Sequence, residues 1–348
     1  MTFRKLTVAI AGLTVLTSGS APATEANPTV SRIKFHGWDA LVLRNPSASV
    51  TVVPEIGRVM RFDLLGPEGT GPQGPFWAPP TFDRWMRPDP EGWINFGGDK
   101  AWPAPQADWT KIGGRAWPPP ATFDARPYVA TAMGPKLWMQ SATDPSYGLA
   151  IERVLALDPV KPVLTIVTTY RKIAGDPVRV GVWSITQLAP PERLFVQLAP
   201  PASPSDKRYD NLLTTAARDL SIDDNLLSMT ADPSQKTMIA ADGNAMLWVG
   251  AGPALLMEAV PERAGQKTRV QVYTTPGVEQ GYVELEFMTP VTELRPGDHA
   301  SLTAQYTLIP RVEADTQREA KRILDRTPAP SVRRSPPARQ RPAAAVEP

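Results

Sequence analysis

From residue 31 to residue 310, apolar and polar residues alternate in short runs separated by turn-forming residues. Period-two alternation of this kind predicts half-buried β-strands. The first runs end at Phe35, span 40–44 and span 49–54, where Val50 and Val52 alternate with Ser49 and Thr51. Glu55-Ile56-Gly57-Arg58 predicts a tight turn into a strand over 59–64, and hence a hairpin. Further strands are expected over 128–133, 136–141, 149–157, 163–171 and 178–188. Asp144-Pro145, Asp158-Pro159 and Gly175-Asp176-Pro177 supply the turns between them. After a less regular stretch over 190–232, the pattern resumes at 238–241, 245–250, 254–260, 269–274, 282–288 and 301–309. This rhythm predicts an all-β protein, a large antiparallel β-sandwich occupying 27–310 as one domain. A charged segment over 311–326 is compatible with a short helix.

One stretch breaks the alternation. Residues 93–117 read W-I-N-F-G-G-D-K-A-W-P-A-P-Q-A-D-W-T-K-I-G-G-R-A-W, bringing Trp93, Trp102, Trp109 and Trp117 together with ionised and amide side chains. Neither the helical nor the strand period fits, so a long ordered loop is expected. Flat indoles beside polar groups suit a ligand that is partly apolar and rich in hydroxyls, such as a sugar. The plainer alternative is that the tryptophans plug one end of the sandwich, with Asp99 and Lys100 as a local ion pair.

Composition narrows the function classes. The 348 residues include 40 prolines and 24 glycines, which favours short strands and turns over helices. The formal net charge of +2 is too small to point to nucleic acid. With no cysteine, disulfides, thiolate metal sites and a cysteine nucleophile are excluded. Residues 1–26 carry Arg4 and Lys5, an apolar run over 6–16 and a small polar tract with Ala21-Pro22-Ala23. That is the layout of a cleavable secretory signal, with cleavage expected after Ala23 or Ala26 and a periplasmic or secreted product. The apolar run is too short for a permanent transmembrane span. Residues 327–348 are rich in Pro, Ala and Arg, which predicts a disordered tail. Its Arg333, Arg334, Arg339 and Arg341 make either a weak contact with an anionic surface or a solvated tail.

The segment N-F-G-G-D-K-A-W-P-A-P-Q over 95–106, preceded by V-V-P-E-I-G-R and followed by W-P-P-P, resembles an uncharacterised bacterial domain-of-unknown-function family. That family in turn resembles the galactose mutarotase (aldose 1-epimerase) superfold, a large antiparallel supersandwich that binds carbohydrates. The run Y-V-E-L-E-F from Tyr282, followed by L-R-P-G, is similar to the last strands of the superfold. The resemblance implies a carbohydrate ligand. Activity does not follow from the fold. Epimerase chemistry in the superfold uses a carboxylate base and histidine acids, whereas this chain has only His36 and His299, neither in a mutarotase-like motif.

Glu284 and Glu286 are two apart on an expected strand and share a face, so either can serve as a general base. A paired-carboxylate glycosidase is a second possibility for them, and a solvent-facing strand edge is the plain one. Arg58 matches a Gly-Arg turn of the superfold whose arginine points into the sugar site. Trp183 and Gln187 share a strand face and join the candidate cavity. Trp102 and Trp109 are expected to stack on sugar faces, while Asn95, Asp99, Lys100 and Gln106 hydrogen-bond hydroxyls. Neither a metal-binding motif nor a nucleotide-binding one is present, so no cofactor is expected. Three functions stay open: an exported carbohydrate-binding protein, a sugar epimerase or glycan-cleaving enzyme, and a non-catalytic structural envelope protein.

Overall fold

The computed structural model describes residues 27–326 apart from 72, 202, 204, 262–267 and 278–280. The expected signal segment and the basic tail lie outside the described residues. In chain order the strands are β1 (Thr29–Phe35), β2 (Trp38–Arg44), β3 (Ala48–Val53), β4 (Arg58–Leu64), β5 (Asp99–Ala104), β6 (Tyr128–Met133), β7 (Lys136–Ser141), β8 (Leu149–Leu157), β9 (Val163–Lys172) and β10 (Val178–Leu188). They continue as β11 (Arg193–Leu198), β12 (Asp210–Asn211), β13 (Ser221–Asp223), β14 (Leu226–Met229), β15 (Thr237–Val249), β16 (Ala254–Val260), β17 (Arg269–Thr274), β18 (Val283–Met288), β19 (Thr292–Leu294) and β20 (His299–Ile309). Three helices, α1 (Trp109–Gly113), α2 (Ala121–Asp124) and α3 (Thr316–Arg326), complete the list among the described residues.

All the pairings are antiparallel, and apart from a short pairing of β19 with the start of β10 they build two sheets. One runs β1-β2-β3-β4-β5-β10-β18-β17-β15-β12. The other runs β6-β7-β8-β9-β20-β16-β15-β11-β14-β13. Strand β15 belongs to both. Its first half, from Thr237 to Asp242, pairs with β17, and its second half, from Ala245 to Val249, pairs with β16. The alternation that predicts two strands, at 238–241 and 245–250, thus marks one long strand that changes sheets near Gly243.

The core lies between the sheets, where Val182, Leu285 and Phe287 of one meet Ile166, Ala304 and Tyr306 of the other. A smaller cluster joins Phe195, Leu247 and Leu256 to Ala320 and Ile323 of α3, and this apolar stripe is what fixes the helix on the second sheet. A third cluster, Trp38, Met60, Phe82 and Phe96, sits under the Pro-rich segment that leads into β5. The expected turn at Gly57 forms as a one-turn 3₁₀ helix, Pro54–Ile56, capped by Gly57 at φ 64°. A Cβ at Gly57 would meet the Tyr128 ring at 2.6 Å, so both conformation and space require glycine there.

The stretch over 93–117 is not one loop. Asp99–Ala104 is a fully buried strand wedged between β4 and β10. Because both faces of β5 are covered, its sequence shows no polar alternation. Residues 109–113 form the short helix α1. No helix among the described residues is long and apolar enough to cross a membrane.

Candidate functional site

Register assigns the side chains to faces. Trp183 pairs with Trp102 and Met288, Ile185 with Lys100 and Glu286, and Gln187 with Glu284. Glu286 in turn pairs with Gln271 on β17. Cross-strand partners point the same way, so Lys100, Trp102, Trp183, Gln187, Glu284, Glu286 and Gln271 share the outer face of the first sheet. The adjacent Asp99 necessarily points to the other face, into the space between the sheets.

On the outer face the polar groups are buried and mutually bonded. Gln187 Nε2 donates to Glu284 Oε1 at 2.8 Å, and Lys100 Nζ stands 3.4 Å from the same oxygen. Trp183 Nε1–H donates to Glu286 Oε2 at 2.7 Å. Lys100 Nζ also sits 4.5 Å above the centre of the Trp102 ring, a cation–π contact. Burial pulls the Lys100 ammonium below the usual lysine range, against the opposing pull of Glu284. Burial, and then the Glu284 charge, holds the Glu286 carboxyl well above the usual carboxylate range. Tyr282, its ring tilted against that of Trp77 at 4.6 Å, is likewise pushed up by burial and by Glu284. The outer face thus sets a carboxyl raised by its surroundings, Glu286, beside a second one, Glu284, an arrangement of the kind that acid–base chemistry uses.

Beside this face lies a cavity of about 490 Å³, walled by Trp183, Gln271, Met288, Arg269, Leu212 and Gln106 among others. Its volume falls within the range that holds a drug-sized ligand, roughly 300–1,000 Å³. The lining combines the Trp183 indole and Met288 thioether with the Gln106 and Gln271 amides and the Arg269 guanidinium, a mixture that suits a ligand with apolar surface and hydroxyls. Among the described residues no group of His, Asp and Glu is arranged to hold a metal ion.

A match to the family model "Domain of unknown function (DUF4380)" covers residues 39–309. The chain belongs to that family. No curated protein matches it in sequence. Among solved structures, the DUF4380 chain superposes on a TPR-domain containing protein from Parabacteroides distasonis with a TM-score of 0.53 at 15% identity, covering 87% of this chain and 51% of that one. It therefore spans about half of that protein. A candidate mutarotase from Salmonella typhimurium aligns with a TM-score of 0.52 and 10% identity over 81% of this chain and 94% of its own. A galactose mutarotase-like protein from Clostridium acetobutylicum gives 0.52 and 9% over 82% and 99%. At these identities the likeness establishes the galactose mutarotase-like fold.

Within the DUF4380 fold the expected site residues take different places. Trp183, Gln187, Lys100, Glu284 and Glu286 do converge on one face, and Trp183 and Gln106 line the cavity. Gln187, Lys100, Glu284 and Glu286 do not line it, because they are buried in contact with one another and with Trp183. Asn95 is half-buried and accepts the Gly97 N–H at 3.2 Å.

Trp102 and Trp109 stand differently from expectation. They are 5% and 0% exposed and pack edge-on at 5.5 Å, with Trp117 and Trp183 against them, so neither ring has a free face for stacking. Their N–H groups donate inward, Trp102 to Asp124 Oδ1 at 2.9 Å and Trp109 to Pro103 O at 2.7 Å. The plainer alternative holds for these two rings: they close the fold.

Arg58 is likewise fully buried, donating to Asp124 Oδ1 at 2.6 Å and to the Gly97 carbonyl at 2.7 Å. It organises the indole cluster instead of reaching the cavity, because Asp124 also takes the Trp93 N–H at 2.9 Å. Asp99 is corrected too. It forms a completely buried ion pair with Arg153 and accepts hydrogen bonds from Thr186 and Tyr306, each at 2.8 Å. It makes no ion pair with Lys100, which the sheet separates from it.

Asp124, Arg153, Gln271 and Arg269 are not legible as site residues from their neighbourhoods in sequence. Only Arg153 carries a signal: it falls between Ile151 and Leu155 on the apolar phase of β8, and an inward-facing arginine demands a buried partner.

Proposed function

We propose that this is an exported carbohydrate-binding protein whose sugar site is the cavity beside Trp183, Gln271 and Gln106. The observation that carries the reading is the sharing of Trp183. It is 6% exposed, and the part of its ring that borders the cavity is fixed in orientation because its N–H is held at 2.7 Å by the buried Glu286 carboxyl. The galactose mutarotase-like fold supports a carbohydrate ligand, and the amino-terminal pattern of residues 1–26 supports export to the periplasm or medium.

A second reading draws on the Glu284–Glu286 pair. Burial and the Glu284 charge raise the Glu286 carboxyl, and Glu284 is bonded to Gln187 and Lys100, so the two are the candidate acid and base. They stand behind Trp183, which lines the cavity, and a sugar would have to reach them past its ring. Under this reading the protein is a sugar epimerase or a glycan-cleaving enzyme without catalytic histidines.

A glycan-array screen of the purified chain, with Gln271→Ala and Gln106→Ala alongside, tests the binding reading. Specific binding to a glycan, weakened about tenfold or more (~1.4 kcal/mol) in the Gln271 variant, is the expected result. Wild-type protein that binds no glycan overturns it. Product formation from the bound glycan, lost in Glu286→Gln while binding persists, would establish the enzyme reading.

A further inference from the structure

A larger cavity, about 680 Å³, opens where β15 leaves one sheet for the other. Its walls include Arg208, Tyr209, Asn225, Asn244 and Glu258, with Leu324 of α3 at one side. Asp242, Thr268 and Arg269 wall this cavity and the 490 Å³ cavity alike. Arg269 sits at the junction, with its guanidinium 2.5 Å from Asp210 and 3.5 Å from Asp242. The two spaces are therefore neighbours that share these walls.

Glu258 sets a carboxyl in the wall of the larger cavity, in a residue that is 6% exposed. Burial also raises its carboxyl above the usual range, which favours the protonated form that donates as well as accepts a hydrogen bond. The same walls carry the amides of Asn225 and Asn244. Their acidic residues Asp206, Asp210 and Asp242 stand against Lys207, Arg208 and Arg269, with Asp210 and Asp242 already ion-paired, so donors and acceptors are present without a dominant charge. That mixture fits a neutral polyhydroxylated ligand better than an anion or a cation.

The geometry points to an extended site: the larger cavity is a second saccharide subsite, and the natural ligand is an oligosaccharide that runs from Trp183 past Arg269 to Glu258. This inference rests on the carbohydrate reading above and goes beyond it by assigning chain length. Each cavity alone is in the size range of a whole small-molecule site, so a monosaccharide would leave one of them empty. Two linked subsites add binding energy without a second loss of translational freedom, so affinity should climb with chain length until both are filled.

The test is a calorimetric titration of the full chain with malto-, cello- and chito-oligosaccharides of one to six units. Glu258→Gln and Asn244→Ala are titrated in parallel, and thermal melts check folding. The expected result is an affinity for the longest members of one series at least tenfold above that for its monosaccharide. Both variants should lose that gain, keep the monosaccharide affinity and melt within a few degrees of wild type. Monosaccharide affinity equal to that of every longer chain overturns the extended site and leaves the carbohydrate reading standing. Failure to bind any member of the three series overturns both. Should Glu258→Gln unfold, Asn244→Ala decides alone, since Asn244 is partly exposed and its side chain bonds to no other described residue.

Discussion

Asp99 and Lys100 are neighbours in the chain with opposite surroundings: Asp99 is clamped by Arg153 between the sheets, and Lys100 stands 3.4 Å from Glu284 on the outer face. The first pair is closed on every side. Removing one member leaves the other charged and buried, a loss of about 3–5 kcal/mol. Asp99→Ala should therefore lower the urea midpoint severely. Lys100→Met should cost less, because Glu284 keeps the Gln187 amide as partner and its side chain retains 10% exposure. Equilibrium urea melts of both variants check the ranking, and a more stable Asp99 variant would contradict it.

Trp102 belongs to the fold before it belongs to any ligand. Trp102→Ala empties a site bounded by Trp93, Trp109, Trp117 and Trp183 and strips a donor from Asp124. A loss of about 3–5 kcal/mol is expected for such a cavity. Any loss of glycan binding in this variant should track the loss of near-ultraviolet circular dichroism. Intact tertiary signal with abolished binding would instead return Trp102 to the ligand.

The raised Glu286 carboxyl predicts a pH slope. Between the unfolded value, about 4.3, and the higher folded one, the native state holds more protons than the unfolded chain. Stability from this group is therefore greatest below about pH 4 and falls as pH rises. Glu286→Gln removes the slope and keeps an oxygen for the Trp183 N–H. Its melting temperature should exceed wild type at pH 8 and converge with it near pH 4, which differential scanning calorimetry at the two pH values would reveal. A constant gap would mean that Glu286 is ionised in the native protein.

Glu319 runs the other way. Arg322, together with the backbone N–H groups of Val312 and Glu313, holds its carboxyl down at about 2. The contribution is present above the unfolded value of about 4.3 and is lost as pH falls towards 2. Compared with Glu319→Gln, wild type should melt higher at pH 6, with the gap closing by pH 2. A gap that widens on acidification would refute the role of Glu319 in docking α3.

The strand rhythm was legible because alternation is a local property, and β6, β7, β8, β10, β16 and β17 start and stop where turn residues dictate. Strand β5 was not, since a strand covered on both faces loses its alternating polarity, and Pro103 and Pro105 argued against one. That Trp183 and Gln187 share a face of one strand, and Glu284 and Glu286 a face of another, follows from spacing alone; that the two strands are neighbours comes from the β10–β18 pairing. The burial of Arg58 and Asp99 does not, because Asp124 and Arg153 are supplied from 66 and 54 residues away. A sequence carries no record of such partners beyond the demand that a buried charge must have one.

Strand β15 bears on how the molecule comes apart. Since one continuous backbone is stitched into both sheets, neither can peel off as an independent unit without stripping the other of its neighbour. Amide hydrogen exchange should then show β17 and β16 opening together at one free energy, and the walls of both cavities, which hang on this strand, gain their rigidity from the whole sandwich.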